Sequence, residues 1–281
     1  MSCSESQAGI PVRKEQGAEI PALGLGTAGL RGEEGMRAIL KGLALGFRHL
    51  DTAQIYENED VVGRALTESG IDRAEVFITT KAQWNRLGRQ DILTGLAESL
   101  RKLQTDYVDL FLVHWPSREV PVRETLDAMC ELQEEGAVRH IGVSNFTVKL
   151  LREALDIAGS PLVCNQVEYH PYLSQASMLA FCREKGIVVT AYSPLALGRT
   201  LKDETLERIG SKYGKSPAQV AIRWFLQQEM VAAIPRSSKP EHLRANLDVF
   251  DFALSAAEMT AVSGLNRGLR LCNPSIHPEW D

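Results

Sequence analysis

Eight short apolar runs recur along this 281-residue chain, and stretches with helical periodicity separate them. Regular alternation of strand and helix predicts a parallel sheet with crossover helices. Eight such units match the closed (β/α)8 TIM barrel, and no linker interrupts the series. The strands are expected within 23–27, 47–53, 76–81, 108–115, 139–145, 162–169, 187–195 and 231–237.

The segments outside the repeat have their own signals. Residues 10–22 carry a polar KEQG between extended flanks, which predicts a β-hairpin that closes the floor of the barrel. Helical patterns at 203–213 and 217–228 both precede the last strand, and a further one follows it, so extra helices are expected near the C-terminus. We expect a single domain, with disorder at 1–9 and a C-terminal tail at 266–281.

Composition and charge exclude several classes of function. The net charge of −5 is spread over mixed acids and bases, which argues against a nucleic-acid partner. The chain has no basic leader followed by an apolar run and no segment of membrane-spanning length, so we expect a cytoplasmic monomer that contacts no membrane. The five cysteines show no paired spacing and are expected to be free thiols, and the six histidines form neither an HxH nor an HExxH pair. A metal site is not expected.

Four chemically distinct side chains lie where predicted strands end. Asp51 and Tyr56 belong to FRHLDTAQIY, Lys81 ends VFITTK, and His114 ends VDLFLVH. Taken singly, Asp51 suits a helix cap, Lys81 a surface lysine and His114 a packed interior histidine. Their common position at strand ends instead predicts one site at the rim of the barrel, able to protonate a carbonyl during its reduction.

A glycine pattern supports a competing fold. Gly24-x-Gly26-x-x-Gly29, followed by Asp51 after the next strand, resembles the dinucleotide fingerprint of a doubly wound dehydrogenase. The preceding strand is short and flanked by proline, and LRG rather than a helix follows Gly29. Eight units also exceed what one doubly wound domain uses, so this remains the minor alternative.

Eight motifs together resemble the aldo-keto reductase family. IPALGLGT, LDTAQIYENE, the lysine of ITTK, LVHWP, IGVSNF, NQVEYHP, AYSPL and IPRSS follow the order and spacing of that family from Ile20 to about Val249. The resemblance implies a barrel enzyme that reduces carbonyls with NADPH, and more weakly with NADH. LDTAQIY, the compact length and the ending PEWD are similar to members that reduce 2-oxoaldehydes such as methylglyoxal or keto-sugar acids such as 2,5-diketo-D-gluconate. A non-catalytic nicotinamide-sensing subunit on the same fold is the alternative.

The resemblance assigns catalytic roles to the four rim residues. It makes Tyr56 the general acid, places Asp51 and Lys81 as a buried pair behind it, and lets His114 orient the substrate carbonyl. A free phenol has a pKa of about 10 and donates its proton reluctantly at neutral pH. A neighbouring ammonium stabilises the phenolate, so Lys81 is expected to assist proton release.

The resemblance also implies the residues that bind the cofactor. Ser144, Asn145 and Gln166 would hold the nicotinamide carboxamide, and Tyr192 would stack on the ring. The guanidinium of Arg236 suits a 2′-phosphate, which favours NADPH, although the family commonly has lysine there and arginine at His242. The full predicted set is Thr27, Asp51, Ser144, Asn145, Gln166, Tyr192, Ser193, Leu195, Arg236, Ser237, Ser238, His242 and Asn246.

Three further positions are expected to shape the substrate pocket. Ala28 stands where many relatives carry a bulky aromatic residue, and Trp84 lies one position later than the usual tryptophan. Trp84 and Trp115 are expected to flank the carbonyl compound, although core packing is the plainer interpretation of either ring. The short rim loops WPSREVP and ALGRTLKD predict a pocket for a small substrate, to which the tail would add a wall if it folded over the mouth.

Overall fold

A β-hairpin begins the part of the chain that the computed structural model describes, residues 9–281. Strands β1 (Val12–Glu15) and β2 (Ala18–Pro21) pair in antiparallel fashion. Gln16 and Gly17 join them with positive φ angles of 48° and 83°, a turn whose twist matches that of the flanking strands. The hairpin predicted at 10–22 is therefore present, whereas the disorder predicted for residues 1–9 falls, except for Gly9, outside the described residues.

Eight parallel strands follow in chain order, and each pairs with the next along the sequence. Every strand overlaps the run that predicted it. The strands are β3 (Leu25–Gly26), β4 (His49–Asp51), β5 (Phe77–Ala82), β6 (Val108–Val113), β7 (Val138–Ser144), β8 (Leu162–Glu168), β9 (Val188–Tyr192) and β10 (Val231–Ala233).

The first and last of these strands meet and close the barrel. Leu23 forms a parallel bridge with Ala233, and the Gly24 amide donates to the Ala233 carbonyl at 2.9 Å. A Cβ at Gly26 would lie 2.8 Å from the Ile234 carbonyl oxygen, so the strands can approach this closely because Gly26 has no side chain. The glycine pattern therefore serves barrel closure, and the doubly wound alternative is wrong.

Helices cover the outside of the barrel, and two lie beyond the strict repeat. The pair predicted before the last strand is present, and a further helix follows the eighth unit. The helices are α1 (Gly32–Leu45), α2 (Glu59–Ser69), α3 (Arg89–Leu103), α4 (Val122–Glu134), α5 (Val148–Ile157), α6 (Ala176–Lys185), α7 (Glu204–Ser211), α8 (Pro217–Leu226), α9 (Pro240–Leu247) and α10 (Ala256–Ser263). Within residues 9–281, none of them has the length and apolar character needed to cross a bilayer.

The hairpin fills the floor of the barrel. Ala18 and Ile20 are fully buried in a small apolar cluster with barrel residues that include Leu110 and Val188. Arg13 fastens the hairpin to the start of β10, because its Nε donates to the Val231 carbonyl at 2.7 Å. With the floor packed in this way, a ligand has access to the barrel interior from the opposite end, where the strands finish.

Candidate active site

A cavity of about 970 Å³ opens at the carboxyl ends of the strands. Most of the residues that the sequence predicted for the site line this cavity, although they come from seven different strand ends and from α9. Those that line it are Thr27, Ala28, Asp51, Tyr56, His114, Trp115, Asn145, Gln166, Tyr192, Ser193, Leu195, Arg236, Ser237, His242 and Asn246.

Asp51 and Lys81 form a buried ion pair at the floor of the cavity, which Asp51 lines and beneath which Lys81 lies. They lie on the adjacent strands β4 and β5, and the Lys81 side chain is fully buried. Its Nζ donates to Asp51 Oδ1 at 2.6 Å and to the Thr52 carbonyl at 2.7 Å. Burial alone would lower the pKa of Lys81, but the Asp51 carboxylate and the Tyr56 phenol raise it above its ordinary value. The ammonium therefore stays charged inside the barrel.

Tyr56 ends the short 3-10 helix Gln54–Tyr56, which follows β4 and turns the phenol towards this pair. Lys81 Nζ lies 5.1 Å from the centroid of the Tyr56 ring. Burial raises the pKa of the phenol, and the nearby ammonium opposes that shift without cancelling it. The sequence predicted only the effect of the ammonium. The outcome is a phenol that is fully protonated at neutral pH and hence in the form that can donate.

His114 follows β6 directly and meets Tyr56 across the cavity. Their ring centroids are 5.7 Å apart with the planes at 82°, an edge-on contact. Burial, with a smaller contribution from the Lys81 charge, lowers the pKa of His114 to about 3. The imidazole is therefore neutral at physiological pH. A neutral imidazole keeps one N–H, which can donate to a carbonyl oxygen beside the Tyr56 phenol.

These two pKa shifts predict a flat pH profile for reduction. His114 becomes charged only as the pH falls towards about 3, and Tyr56 loses its proton only above its ordinary value of 10.0. We expect kcat/KM, measured at saturating cofactor, to vary by less than about threefold from roughly pH 5 to pH 9. An acidic limb centred near 6.5, the ordinary pKa of histidine, would contradict the neutral assignment of His114.

Gln166 connects the predicted cofactor residues to the ion pair. It lies on β8, and its Nε2 donates to Asp51 Oδ2 at 2.7 Å, which occupies the carboxylate oxygen that Lys81 leaves free. The hydroxyl of Ser144 donates to the Gln166 backbone carbonyl at 2.8 Å. Gln166 Oε1 remains available as an acceptor for an amide group above the site.

Asn145 and Tyr192 form a second connection at the same end of the cavity. Asn145 adopts a left-handed φ of 62°, which asparagine tolerates better than most residues, and its Nδ2 donates to the His114 carbonyl at 2.9 Å. The Tyr192 hydroxyl donates to Asn145 Oδ1 at 2.8 Å. This bond holds the aromatic ring at the cavity wall, where its face is suited to stacking on a planar ligand.

The other end of the cavity carries a cation among hydroxyl and amide groups. Arg236 and Ser237 follow β10, while His242 and Asn246 belong to α9. The Arg236 guanidinium extends towards the loop after β3, where its Nη2 would lie 3.7 Å from a Cβ on Gly29. A long cavity with amide and aromatic groups at one end and a guanidinium at the other fits a phosphorylated dinucleotide.

Four predicted residues do not line the cavity. Lys81 and Ser144 lie beneath it, joined to lining residues by the hydrogen bonds described above. Ser238 follows the lining residue Ser237 in the chain but does not itself line the cavity. Trp84 is 36% exposed at the rim and is not part of the wall. Contact between Trp84 and a substrate stays a prediction.

Several lining residues were not predicted. Leu197 and Leu201, in the 3-10 segment Ala196–Lys202, are 66% and 49% exposed where they border the cavity. Two leucines in a short, otherwise mostly polar loop could have indicated from the sequence that this loop borders a ligand. Cys272 also lines the cavity, and Trp280 packs edge-on against Trp115 with ring centroids 6.1 Å apart. The tail therefore does add a wall to the pocket.

Comparison with known proteins identifies this arrangement. Residues 22–267 match the sequence profile of the Aldo/keto reductase family. The chain belongs to the aldo/keto reductase family. This aldo/keto reductase is 43% identical over 266 residues to methylglyoxal reductase DkgB of Escherichia coli O157:H7, an alignment that covers 93% of this chain and 99% of that protein. It is 41% identical over 262 residues to the glyoxal reductase of Bacillus subtilis strain 168, with 92% and 94% of the two chains covered.

A solved structure supports the same assignment. The Bombyx mori aldo-keto reductase in complex with NADP superposes on this aldo/keto reductase with a TM-score of 0.89 at 31% identity, covering 95% of this chain and 96% of that one. The predicted family, the barrel fold and the function of carbonyl reduction are therefore confirmed, and nothing supports the non-catalytic alternative. Among residues 9–281, no group of three or more histidine, cysteine and acidic side chains is arranged to hold a metal ion.

Proposed function

We propose that this aldo/keto reductase uses NADPH to reduce small, uncharged 2-oxoaldehydes, with methylglyoxal as the representative substrate. One observation carries the proposal: among the described residues, none of the side chains that line the cavity around Tyr56 carries an unpaired charge. Around Tyr56, the lining is formed by Ala28, a neutral His114, Trp115 and the half-buried Cys272.

Among the described residues that line this end, none is an unpaired cation, which favours an aldehyde over a keto-sugar acid. Arg270 is nearby but lies outside the lining, over the Trp280 ring and 3.9 Å from Glu168. A substrate carboxylate bound at this end of the cavity would lose water and need a positive partner. Lys81 cannot serve, because it is fully buried and paired with Asp51. Arg236 lines the cavity and carries a positive charge, but it follows β10 in the part of the cavity that we assign to the cofactor.

The chain's own residues supply a proton and hold the carbonyl. When bound, the cofactor provides the hydride. Tyr56 donates its proton to the carbonyl oxygen, and the N–H of His114 stabilises the negative charge that grows there. The buried Lys81 ammonium stabilises the phenolate that remains, while Asp51 keeps the ammonium charged and in place.

NADPH oxidation with two substrates side by side tests this proposal. We expect kcat/KM for methylglyoxal to exceed that for 2,5-diketo-D-gluconate by at least about tenfold, since a buried, unpaired carboxylate is strongly disfavoured. The two substrates should be compared at the same saturating NADPH concentration. A preference for the keto-sugar acid would overturn the uncharged-substrate proposal and leave the family assignment standing.

We also expect discrimination by size. Methylglyoxal should be reduced with at least about tenfold higher kcat/KM than a bulky steroid ketone, because Trp115 and the tail residue Cys272 form a wall on the substrate side of the cavity, with Trp280 packed against Trp115. Burial supplies roughly 25 cal/mol per Å², and most of a steroid would remain in water. A clear preference for the steroid, measured under NADPH saturation, would show that the tail does not restrict the pocket.

A further inference from the structure

The C-terminal tail, residues 266–281, runs back across the mouth of the barrel after α10. Its early part is fixed to the loop after β8, where the Leu269 amide donates to the Tyr172 carbonyl at 3.0 Å. Its late part is held by Arg118, whose Nη2 donates to the His277 carbonyl at 2.9 Å. The tail contains no regular helix or strand, so its path depends on such contacts with the barrel.

The strongest of these contacts converge on one buried carboxylate. Glu168 is the last residue of β8 and is fully buried. It accepts hydrogen bonds from the amides of Leu271 at 2.7 Å and Cys272 at 2.9 Å. His170 Nε2 lies 3.0 Å from the same carboxylate, and Arg270 Nη1 lies 3.9 Å away. Four groups thus surround Glu168, and three of them belong to the tail.

The charge on Glu168 is stable at neutral pH. Burial alone would raise the pKa of this carboxyl, but the bonds from His170 and from the two tail amides hold the pKa below its usual value. A buried carboxylate without hydrogen-bond donors carries a large free-energy penalty. The tail amides remove this penalty, so Glu168 binds them tightly. Charge-assisted bonds of this kind are the stronger class of hydrogen bond in proteins.

The anchored residues lead directly to the substrate side of the cavity. Cys272 lines it, one residue after the first anchored amide. The guanidinium of Arg270 lies 3.6 Å over the Trp280 ring, and Trp280 packs edge-on against Trp115 at 6.1 Å. Fixing the backbone at 271–272 therefore also fixes the residue that backs Trp115.

We propose that Glu168 is a specificity-determining positioning residue: its carboxylate holds the tail as the outer wall of the substrate pocket and thereby excludes bulky carbonyl compounds. This inference rests on the proposed function, since it concerns the pocket of the same site. Glu168 does not line the cavity and so acts through the tail rather than on the substrate.

Three variants of the full-length enzyme test the proposal. Glu168→Gln keeps the shape of the side chain and removes its charge. Trp280→Ala leaves Glu168 intact and removes the backing of Trp115, so it still tests the wall if the first variant folds poorly. Asp109→Asn is the matched control, because Asp109 is a buried carboxylate that binds Arg73 and the Ile78 amide at the opposite end of the barrel.

The decisive quantity is the ratio of kcat/KM for methylglyoxal to kcat/KM for a bulky aromatic ketone. We expect Glu168→Gln and Trp280→Ala to lower this ratio by about tenfold, the effect of losing one charge-assisted bond or one packing contact, and Asp109→Asn to leave it unchanged. The KM for methylglyoxal should rise while kcat changes little. An unchanged ratio in folded Glu168→Gln, or an equal change in Asp109→Asn, would overturn the proposal. If Glu168→Gln does not fold, an unchanged ratio in Trp280→Ala would overturn it.

The state of the tail is measured independently of turnover. In Glu168→Gln, the amides of residues 266–281 should exchange hydrogen faster, and iodoacetamide should label Cys272 more rapidly, as followed by peptide mass spectrometry. In Asp109→Asn both rates should match those of the unmodified enzyme. If the unmodified enzyme failed to reduce methylglyoxal, the proposed function would fall. The exchange and labelling rates would still decide whether Glu168 holds the tail, and unchanged rates would refute that.

Discussion

Replacing Tyr56 with phenylalanine should abolish carbonyl reduction while leaving the affinity for NADPH nearly unchanged. The phenyl ring keeps the edge-on contact with His114, so the change removes the acidic proton and little else. Loss of a positioned general acid costs about 10²–10⁴-fold in rate. We expect kcat for methylglyoxal to fall by at least that factor, measured by NADPH oxidation, with cofactor affinity followed separately by fluorescence titration.

A matched control is available at the other end of the barrel. Tyr107 lies between the guanidinium groups of Arg73 and Arg139, away from the cavity. Tyr107→Phe also deletes one phenolic hydroxyl, and we expect it to leave kcat within about twofold, as is usual for a substitution remote from the reacting groups. Near-normal turnover by Tyr56→Phe would remove Tyr56 from the role of proton donor.

Replacing Arg236 with alanine should weaken NADPH binding much more than NADH binding. Arg236 lines the cavity with a guanidinium that can bind the 2′-phosphate, and the hydroxyl of the neighbouring Ser237 can donate a further hydrogen bond. A hydrogen bond to a charged partner is worth roughly 1.5–3 kcal/mol, so NADPH affinity should fall by about ten- to a hundredfold. NADH lacks the 2′-phosphate, and its dissociation constant should change little.

Arg244 provides the control for this experiment. It is an exposed arginine in the last turn of α9 and does not line the cavity, so Arg244→Ala removes the same charge from nearby without touching the site. Both dissociation constants should be determined at fixed ionic strength, because exposed charges are screened by salt. Equal weakening of NADPH and NADH by Arg236→Ala would show that Arg236 does not recognise the 2′-phosphate.

Most of the fold followed from local patterns in the sequence. The eight apolar runs predicted eight strands because a strand in a parallel barrel is buried on both faces and reads as a short continuous apolar segment. The lysine at the end of β5 and the aspartate at the end of β4 could be placed together because neighbouring parallel strands finish at the same rim. The glycine pattern, taken alone, suggested a dinucleotide-binding turn. Its role in closing the barrel depends on β10, which lies more than 200 residues later in the chain.

The tail and its anchor could not be read from the sequence in the same way. Glu168 meets Leu271 across a sequence separation of 103 residues, and no periodicity predicts such a contact. A signal was nevertheless present, because a glutamate that ends the buried strand LVCNQVE requires a partner. The direction of the Tyr56 pKa was likewise missed, since burial, the dominant cause, depends on the folded surroundings.

The seam between β3 and β10 also sets an order of events during synthesis. Leu23 is synthesised long before its bridging partner Ala233, and Arg13 of the hairpin long before the Val231 carbonyl to which it donates. A nascent chain therefore carries an open sheet with an unpaired edge until Ala233 has been made, and such edges promote aggregation. Because α10 and the tail follow the seam in the chain, the cell completes the barrel before it can complete the pocket.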